Sequence, residues 1–155
     1  MTSITTVTIS QIDYNLDGSK SFGIFLSNIL SLIKLMHWYT DNFQVHKILG
    51  KLYDNLENNF DSLQEEIIGV VKDQRSPFNV STPIIDPNDA MLYKASSEEK
   101  LNEIYKTIDV IIDVLCSLEF KTFVDGSKCG INNTKETIVS FCNQSKYLLG
   151  LINIK

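Results

Sequence analysis

The sequence of 155 residues lacks the features that mark several specialised classes of protein. It has only three prolines and seven glycines, which excludes collagen-like and low-complexity chains. No uninterrupted run of about 18 apolar residues occurs, so we expect no membrane-spanning segment and no membrane partner. The longest apolar stretch, residues 22–39, also lacks the basic start and the cleavage site of a signal peptide.

Paired cysteines and an excess of positive charge are missing as well. Cys116, Cys129 and Cys142 are an odd number without metal-like spacing. They indicate free thiols in a reducing compartment, and we therefore expect a cytoplasmic protein. The formal net charge of -5 argues against a general nucleic-acid-binding protein, because such proteins carry a basic surface. DNA is accordingly not an expected partner.

What the sequence does contain is helical periodicity in four segments. Predicted helix A covers about residues 21–39, and predicted helix B covers about residues 42–70. Helix A has an apolar stripe that includes a histidine: Leu26, Ile29, Leu30, Ile33, Met36 and His37. Helix B has one narrow stripe of seven residues over about six turns: Val45, Leu49, Leu52, Leu56, Phe60, Leu63 and Ile67.

Two further helices follow a long connection. Predicted helix C begins near Ser96 or Ser97 and runs to about Phe123, and predicted helix D has Asn133 as its N-cap. The stripe of helix C is Leu101, Ile104, Ile108, Ile111, Leu115 and Leu118, and that of helix D is Ile138, Phe141, Leu148 and Ile152. Residues 71–96 contain all three prolines and no sustained period, apart from a predicted short helix over residues 88–94.

This order of elements predicts an all-α fold, a ferritin-like four-helix bundle over residues 21–155. An up-down-up-down bundle needs only short connections, whereas the ferritin-like arrangement needs one long crossover. The connection between helices B and C is too long for a tight hairpin, so it is predicted to cross over. Residues 1–20 are polar and rich in threonine, which favours an extended N-terminal arm that includes a short strand.

One group of side chains could bind a metal, namely His37, His46, Asp61 and Glu65. Imidazole and carboxylate groups are ligands that suit iron and similar metals. Asp61 and Glu65 are one helical turn apart and face away from the core stripe of helix B. From the residues alone two simpler interpretations stay open: a buried, hydrogen-bonded His37 and a solvated acidic helix face. No Glu-x-x-His motif occurs, which disfavours a di-iron centre within one chain.

The segment HWYTDNFQVHKILGKLYDNLENNFDSLQEEIIG, residues 37–69, resembles Dps, the miniferritins that oxidise and store iron. The shared pattern is His37-Trp38, Phe43, His46, Asp61 and Glu65. The resemblance implies iron as the metal, with the histidines from one subunit and the carboxylates from its two-fold mate. It also implies a ferroxidase that uses peroxide or oxygen, with no catalytic residue beyond the metal ligands, and a homodimer or higher homo-oligomer such as a dodecamer.

The sequence departs from typical Dps in two ways. His37 and His46 are only nine residues apart, so a shared site requires a helix break near residues 40–42. The Lys/Arg-rich tail with which some Dps proteins hold DNA is also missing. The shorter form is similar to small Dps-like proteins encoded by tailed bacteriophages, which would place it in the bacterial cytoplasm or in a virion. The alternative function is a metal-free ferritin-like bundle that acts as a phage structural or protein-interaction protein.

Overall fold

The computed structural model describes residues 4–8, 18–70, 81–85, 98–124 and 128–152. Helices dominate it, and the predicted helical bundle is confirmed. The elements, in chain order, are β1 (Ile4–Thr8), α1 (Gly18–Tyr39), α2 (Phe43–Val70), β2 (Ser81–Ile85), α3 (Glu98–Leu115), α4 (Leu118–Phe123) and α5 (Lys128–Gly150). Predicted helices A and B are α1 and α2, helix C corresponds to α3 with α4, and helix D is α5.

The contacts between helices fix their directions. Gly23 of α1 lies against Gln64 of α2, and His37 lies against Gly50, so α1 and α2 are antiparallel. The first turns of α5 meet the last turns of α2 through Thr134 and Glu66, and the two helices pack along each other in opposite directions.

Helix α3 runs antiparallel to α5 and therefore parallel to α2. Lys146 pairs with Asp109, and Gly150 lies beside the Tyr105 hydroxyl. Helices α2 and α3 thus point the same way, and residues 71–97 connect them in the chain. The long crossover between them stays a prediction.

A two-stranded antiparallel sheet accompanies the helices. Strand β1, within the predicted extended arm, pairs with β2, with Ile4 opposite Ile85 and Thr8 opposite Ser81. Strand β2 lies between α2 and α3 in the chain. The short helix predicted over residues 88–94 falls outside the described residues.

The core is built by one face of each long helix. All seven stripe residues of α2 are buried, as the sequence predicts. The buried face of α1 is turned from its predicted position, because Phe22, Phe25 and Leu32 belong to it while Leu30 and His37 lie at its edge. One described segment, Lys20–Tyr39 of α1, is long and apolar enough to cross a membrane by length and composition alone. In this fold its buried side chains belong to the core, and the absence of a membrane span stays a prediction.

Predicted helix C is wrong as a single helix, because the chain breaks at Cys116 and Ser117. The hydroxyl of Ser117 accepts a hydrogen bond from the backbone N–H of Phe120 at 3.1 Å and so caps α4. The break turns Phe120 into the core, with its ring centroid 5.3 Å from that of Phe22. Leu118, which the stripe predicts as buried, is instead 73% exposed.

Predicted helix D is correct in kind but wrong in its start and in part of its stripe. Helix α5 begins at Lys128, so Asn133 lies within the helix and is not its N-cap. Leu148 is 44% exposed, and Leu149 is buried in its place. Leu149 follows Ile138 by eleven residues, which is about three turns, so it returns to the same face.

The two described cysteines differ in environment. Cys142 is buried in the α5 face of the core, and burial raises the pKa of its thiol to about 12. Its role is therefore that of a small apolar side chain. Cys116, by contrast, is exposed at the break between α3 and α4.

A polar contact joins the C-terminal end of α2 to the N-terminal part of α5. The Thr134 hydroxyl donates to Glu66 Oε1 at 2.7 Å, and both side chains are half-buried. Glu66 Oε2 lies over Gly130, where an added Cβ would stand 2.9 Å away. The missing side chain at Gly130 therefore makes room for the carboxylate.

We predict that Thr134→Val destabilises the fold by about 1–3 kcal/mol, because it removes a donor from a half-buried carboxylate. Thr137→Val is the matched control, since the Thr137 hydroxyl is exposed and bonds only the carbonyl of Asn133 in its own helix. The control should stay within about 0.5 kcal/mol of the parent. Urea unfolding measures both variants, and equal midpoints would show that the contact contributes nothing.

Candidate metal site at the corner between α1 and α2

The corner is a sharp break between two helices. Helix α1 ends at Tyr39 and α2 begins at Phe43, which confirms the break that a shared histidine site requires. Asn42 caps α2, because its Oδ1 accepts from the backbone N–H of Val45 at 3.0 Å. The backbone N–H of Asn42 donates to the Thr40 hydroxyl at 3.3 Å, which ties the connecting residues together.

The break brings His37 and His46 face to face. Their ring centroids are 4.0 Å apart and their planes differ by 18°. His37 Nδ1 lies 2.8 Å from the carbonyl oxygen of His46, and His46 Nδ1 lies 2.8 Å from the carbonyl oxygen of His37. Each imidazole is therefore held by the backbone of the other residue.

These two hydrogen bonds determine the tautomer of both rings. A carbonyl oxygen can only accept, so each Nδ1 must be the donor. In the neutral imidazole the lone pair is then on Nε2, which is the atom left to bind a metal. An Nδ1–H donated to a backbone carbonyl is the usual arrangement of a metal-binding histidine, since it fixes the orientation of the ring.

One of the two hydrogen bonds also completes the end of α1. The carbonyl of His37 belongs to the last turn of α1, where carbonyls lack partners within the helix. His46 supplies that partner from the first turns of α2. The two hydrogen bonds therefore hold α1 against α2, and they also leave the Nε2 atom of each ring available to bind a metal.

Gly50 is a part of the site that the sequence analysis missed. A Cβ at this position would lie 2.9 Å from Cε1 and 3.3 Å from Nδ1 of His37, so only glycine lets the ring sit here. Its signal in the sequence is a lone glycine inside a strongly periodic helix, one turn after His46.

Exposed aromatic rings border the histidine pair. Trp38 is 59% exposed and Phe43 is 72% exposed. The Lys34 ammonium lies 4.0 Å from the Tyr53 ring centroid and 5.5 Å from that of Trp38, within the range of cation–π attraction. The surface of the corner therefore combines exposed aromatic rings with the positive charge of Lys34, which the two neighbouring rings hold in place.

Asp61 and Glu65 lie elsewhere on the same helix. Both are exposed on the outward side of α2, as the sequence predicts. At 1.5 Å per residue they lie about 22 and 28 Å along the helix from His46. Within the described ranges no three His, Cys, Asp or Glu side chains converge on one point. One chain thus assembles the two histidines and keeps the two carboxylates apart from them.

Comparison with protein-family models, with curated proteins and with solved structures finds no match.

We predict that Gly50→Ala lowers metal affinity by about 10- to 100-fold, the usual cost of losing a supporting contact around a metal ligand. The added methyl group displaces the His37 ring, yet overall stability should change little. Alanine gains about 0.5–1 kcal/mol in a helix, which offsets one lost hydrogen bond.

Gly69→Ala is the control for this variant, because an added Cβ there meets nothing within 4 Å. It should keep the parent's affinity in iron(II) titration and unfold no more easily than the parent. Equal iron affinity in the Gly50 and Gly69 variants would show that the ring position is irrelevant to binding.

Proposed function

We propose that this chain is a Dps-like, ferritin-like protein that binds iron(II) as substrate and oxidises it at a site shared by two subunits. The observation that carries the proposal is the histidine pair, in which each Nδ1 donates to a backbone carbonyl and leaves Nε2 as the nitrogen that can bind a metal. His37 and His46 would bind iron from one subunit, and Asp61 and Glu65 would bind it from the other.

The position of the carboxylates supports a shared site. They cannot reach the histidines of their own chain, but a second copy related by a two-fold axis can bring them there. The axis must cross α2 midway between His46 and the acidic pair, which is near Asp54. Both carboxylates are on the exposed side of α2, where a partner can approach.

The order and direction of the helices support the ferritin-like assignment. Helices α1 and α2 are antiparallel, α3 and α5 are antiparallel, and a long connection joins the parallel pair α2 and α3. Bundles in which one such connection crosses over are the ferritin-like type.

The proposed chemistry needs both kinds of ligand. Each iron(II) gives up one electron, and a peroxide molecule takes two electrons and two protons to yield two waters. The ferric product is a harder and more highly charged ion, which carboxylate oxygens stabilise better than imidazole does. The histidines therefore position the iron, and Asp61 and Glu65 offset the charge that oxidation adds.

We predict that Asp61→Ala or Glu65→Ala abolishes iron binding and oxidation while costing the fold less than about 1 kcal/mol, as ordinary surface changes do. Both side chains are exposed, so truncation leaves no cavity. His46→Ala should also abolish iron binding, but with a larger loss of stability, because it removes a hydrogen bond that ends α1.

Mixing variants tests whether the site is shared. In a dimer of one His46→Ala chain and one Asp61→Ala chain, one of the two sites keeps all four ligands. Random pairing in an isologous dimer should thus restore about a quarter of the parent's oxidation rate, although neither variant alone is active. If the mixture stays inactive after subunit exchange, the site is not shared.

The mass of the parent protein extends the test. A homodimer or a larger shell such as a dodecamer agrees with the proposal. If the parent binds no iron, the alternative of a metal-free structural or interaction protein takes its place.

A further inference from the structure

The corner between α1 and α2 carries two exposed aromatic rings, each with a lysine beside it. Trp38 is 59% exposed, and the Lys34 ammonium lies 5.5 Å from its ring centroid. Phe43 is 72% exposed, and the Lys47 ammonium lies 5.5 Å from its ring centroid. One pair precedes the turn between the helices and the other follows it. An apolar ring and a positive charge thus occur side by side twice at this corner.

The exposure of these rings sets them apart from the aromatic side chains of the core. Phe22, Phe25 and Phe120 are buried. Removing apolar surface from water is favourable, so a partner that covers the exposed rings gains binding free energy. The rings therefore mark the corner as a surface that binds a partly apolar partner.

The lysines at the corner form no ion pairs within the part of the chain that the structure describes. Lys34 and Lys47 have aromatic rings as their interaction partners, and Lys51, one turn beyond Lys47, has no carboxylate within ion-pair distance. Lys106 and Lys146, by contrast, pair with carboxylates of α3. The positive charges at the corner are therefore available to an anionic partner.

Acidic residues are few at the corner and numerous away from it. Between Lys34 and Lys51 the chain has one acidic residue, Asp41, which lies exposed in the turn. The acidic side chains of α2 begin at Asp54 and continue to Glu65, away from the corner. Three lysines thus face one carboxylate, and the corner is positive in a chain with a net charge of -5.

We propose that this corner binds the surface of an anionic lipid bilayer. The rings of Trp38 and Phe43 enter the boundary between headgroups and acyl chains, and the ammonium groups of Lys34 and Lys47 meet the anionic headgroups. Aromatic rings and lysines are the side chains that hold proteins at this boundary. Such contact needs no membrane-spanning segment. It therefore differs from the expectation, drawn from the lack of a long apolar run, that the chain has no membrane partner.

A bilayer fits the corner better than a nucleic acid does. The basic part of α2, from Phe43 to Lys51, spans eight residues, which is about 12 Å of helix. A phosphate chain that continues along α2 meets Asp54 and the carboxylates beyond it, which repel it. A bilayer contacts the corner alone when the bundle stands on that end and the acidic part of α2 points away.

The fluorescence of Trp38 tests the contact, because it is the only tryptophan of the chain. Its emission should move to shorter wavelength when the full chain is mixed with vesicles of phosphatidylcholine and phosphatidylserine in equal parts. Brominated phosphatidylcholine in these vesicles should quench it, because the ring then lies against lipid chains. Vesicles of phosphatidylcholine alone should bind much less protein, and added salt should release it from the anionic vesicles, since salt screens the attraction.

Two variants test the ring and the charge separately. Phe43→Ala removes a ring, and Lys47→Glu reverses a charge. Each should weaken binding to the anionic vesicles by about tenfold or more. Their controls are Leu118→Ala and Lys121→Glu, because both side chains are exposed on α4, away from the corner. The controls should bind as the parent does in vesicle sedimentation, and all four variants should keep the parent's circular dichroism spectrum.

Several results would overturn the inference. Trp38 emission that does not respond to anionic vesicles does so, as does equal binding to neutral vesicles, or corner variants that bind like their controls. Binding of a single-stranded oligonucleotide in place of vesicles would make the partner a nucleic acid. Loss of the thermal unfolding transition on vesicles would mean that the bundle opens and inserts α1, which contradicts binding through a folded corner.

The inference goes beyond the proposed function and uses none of the four proposed metal ligands. If the protein binds anionic vesicles through the corner but no iron, the inference stands and the proposed function fails. If it binds and oxidises iron but not vesicles, the reverse holds.

Discussion

The corner between α1 and α2 depends on two hydrogen bonds, each from an imidazole Nδ1 to the carbonyl of the other histidine. One of these bonds completes the end of α1, and together they hold it against the first turns of α2 and keep the two imidazole rings stacked. The bonds require a helix break after Tyr39 and a glycine at position 50. The carbonyl of His37 lies in the last turn of α1, where it has no partner within the helix, and His46 supplies one.

The two sides of helix α2 have different roles. Seven apolar residues on one side form the centre of the core, and the half-buried Glu66 joins the helix to α5. The opposite side carries no core residue, so its lysines and carboxylates are free of packing constraints. We therefore expect changes on that side to leave the bundle folded, whereas changes to the apolar stripe should destabilise it.

Much of the fold was predictable because α2 and α3 have clean apolar periods and residues 71–96 lack one. The histidine pair was predictable only as a possibility, since periodicity does not show which way a ring turns after a break. The prediction for the end of helix C was wrong for a related reason. Leu118 continues the apolar period of α3, but Ser117 caps a new helix, α4, which runs in a different direction. The predicted burial of Leu148 was wrong because either of the adjacent residues Leu148 and Leu149 can continue the apolar stripe of α5. The packing in the structure buries Leu149.

The pairing of β1 with β2 has a consequence for the order in which the chain folds. The two strands flank α1 and α2 in the sequence, so joining them closes a loop that contains both helices. Closing a loop costs more entropy as its length grows, and two strands alone form a sheet of marginal stability. On the ribosome β1 must therefore wait for β2 to be synthesised, whereas the α1–α2 hairpin can form from neighbouring residues. The sheet closes over a bundle that local contacts have already begun.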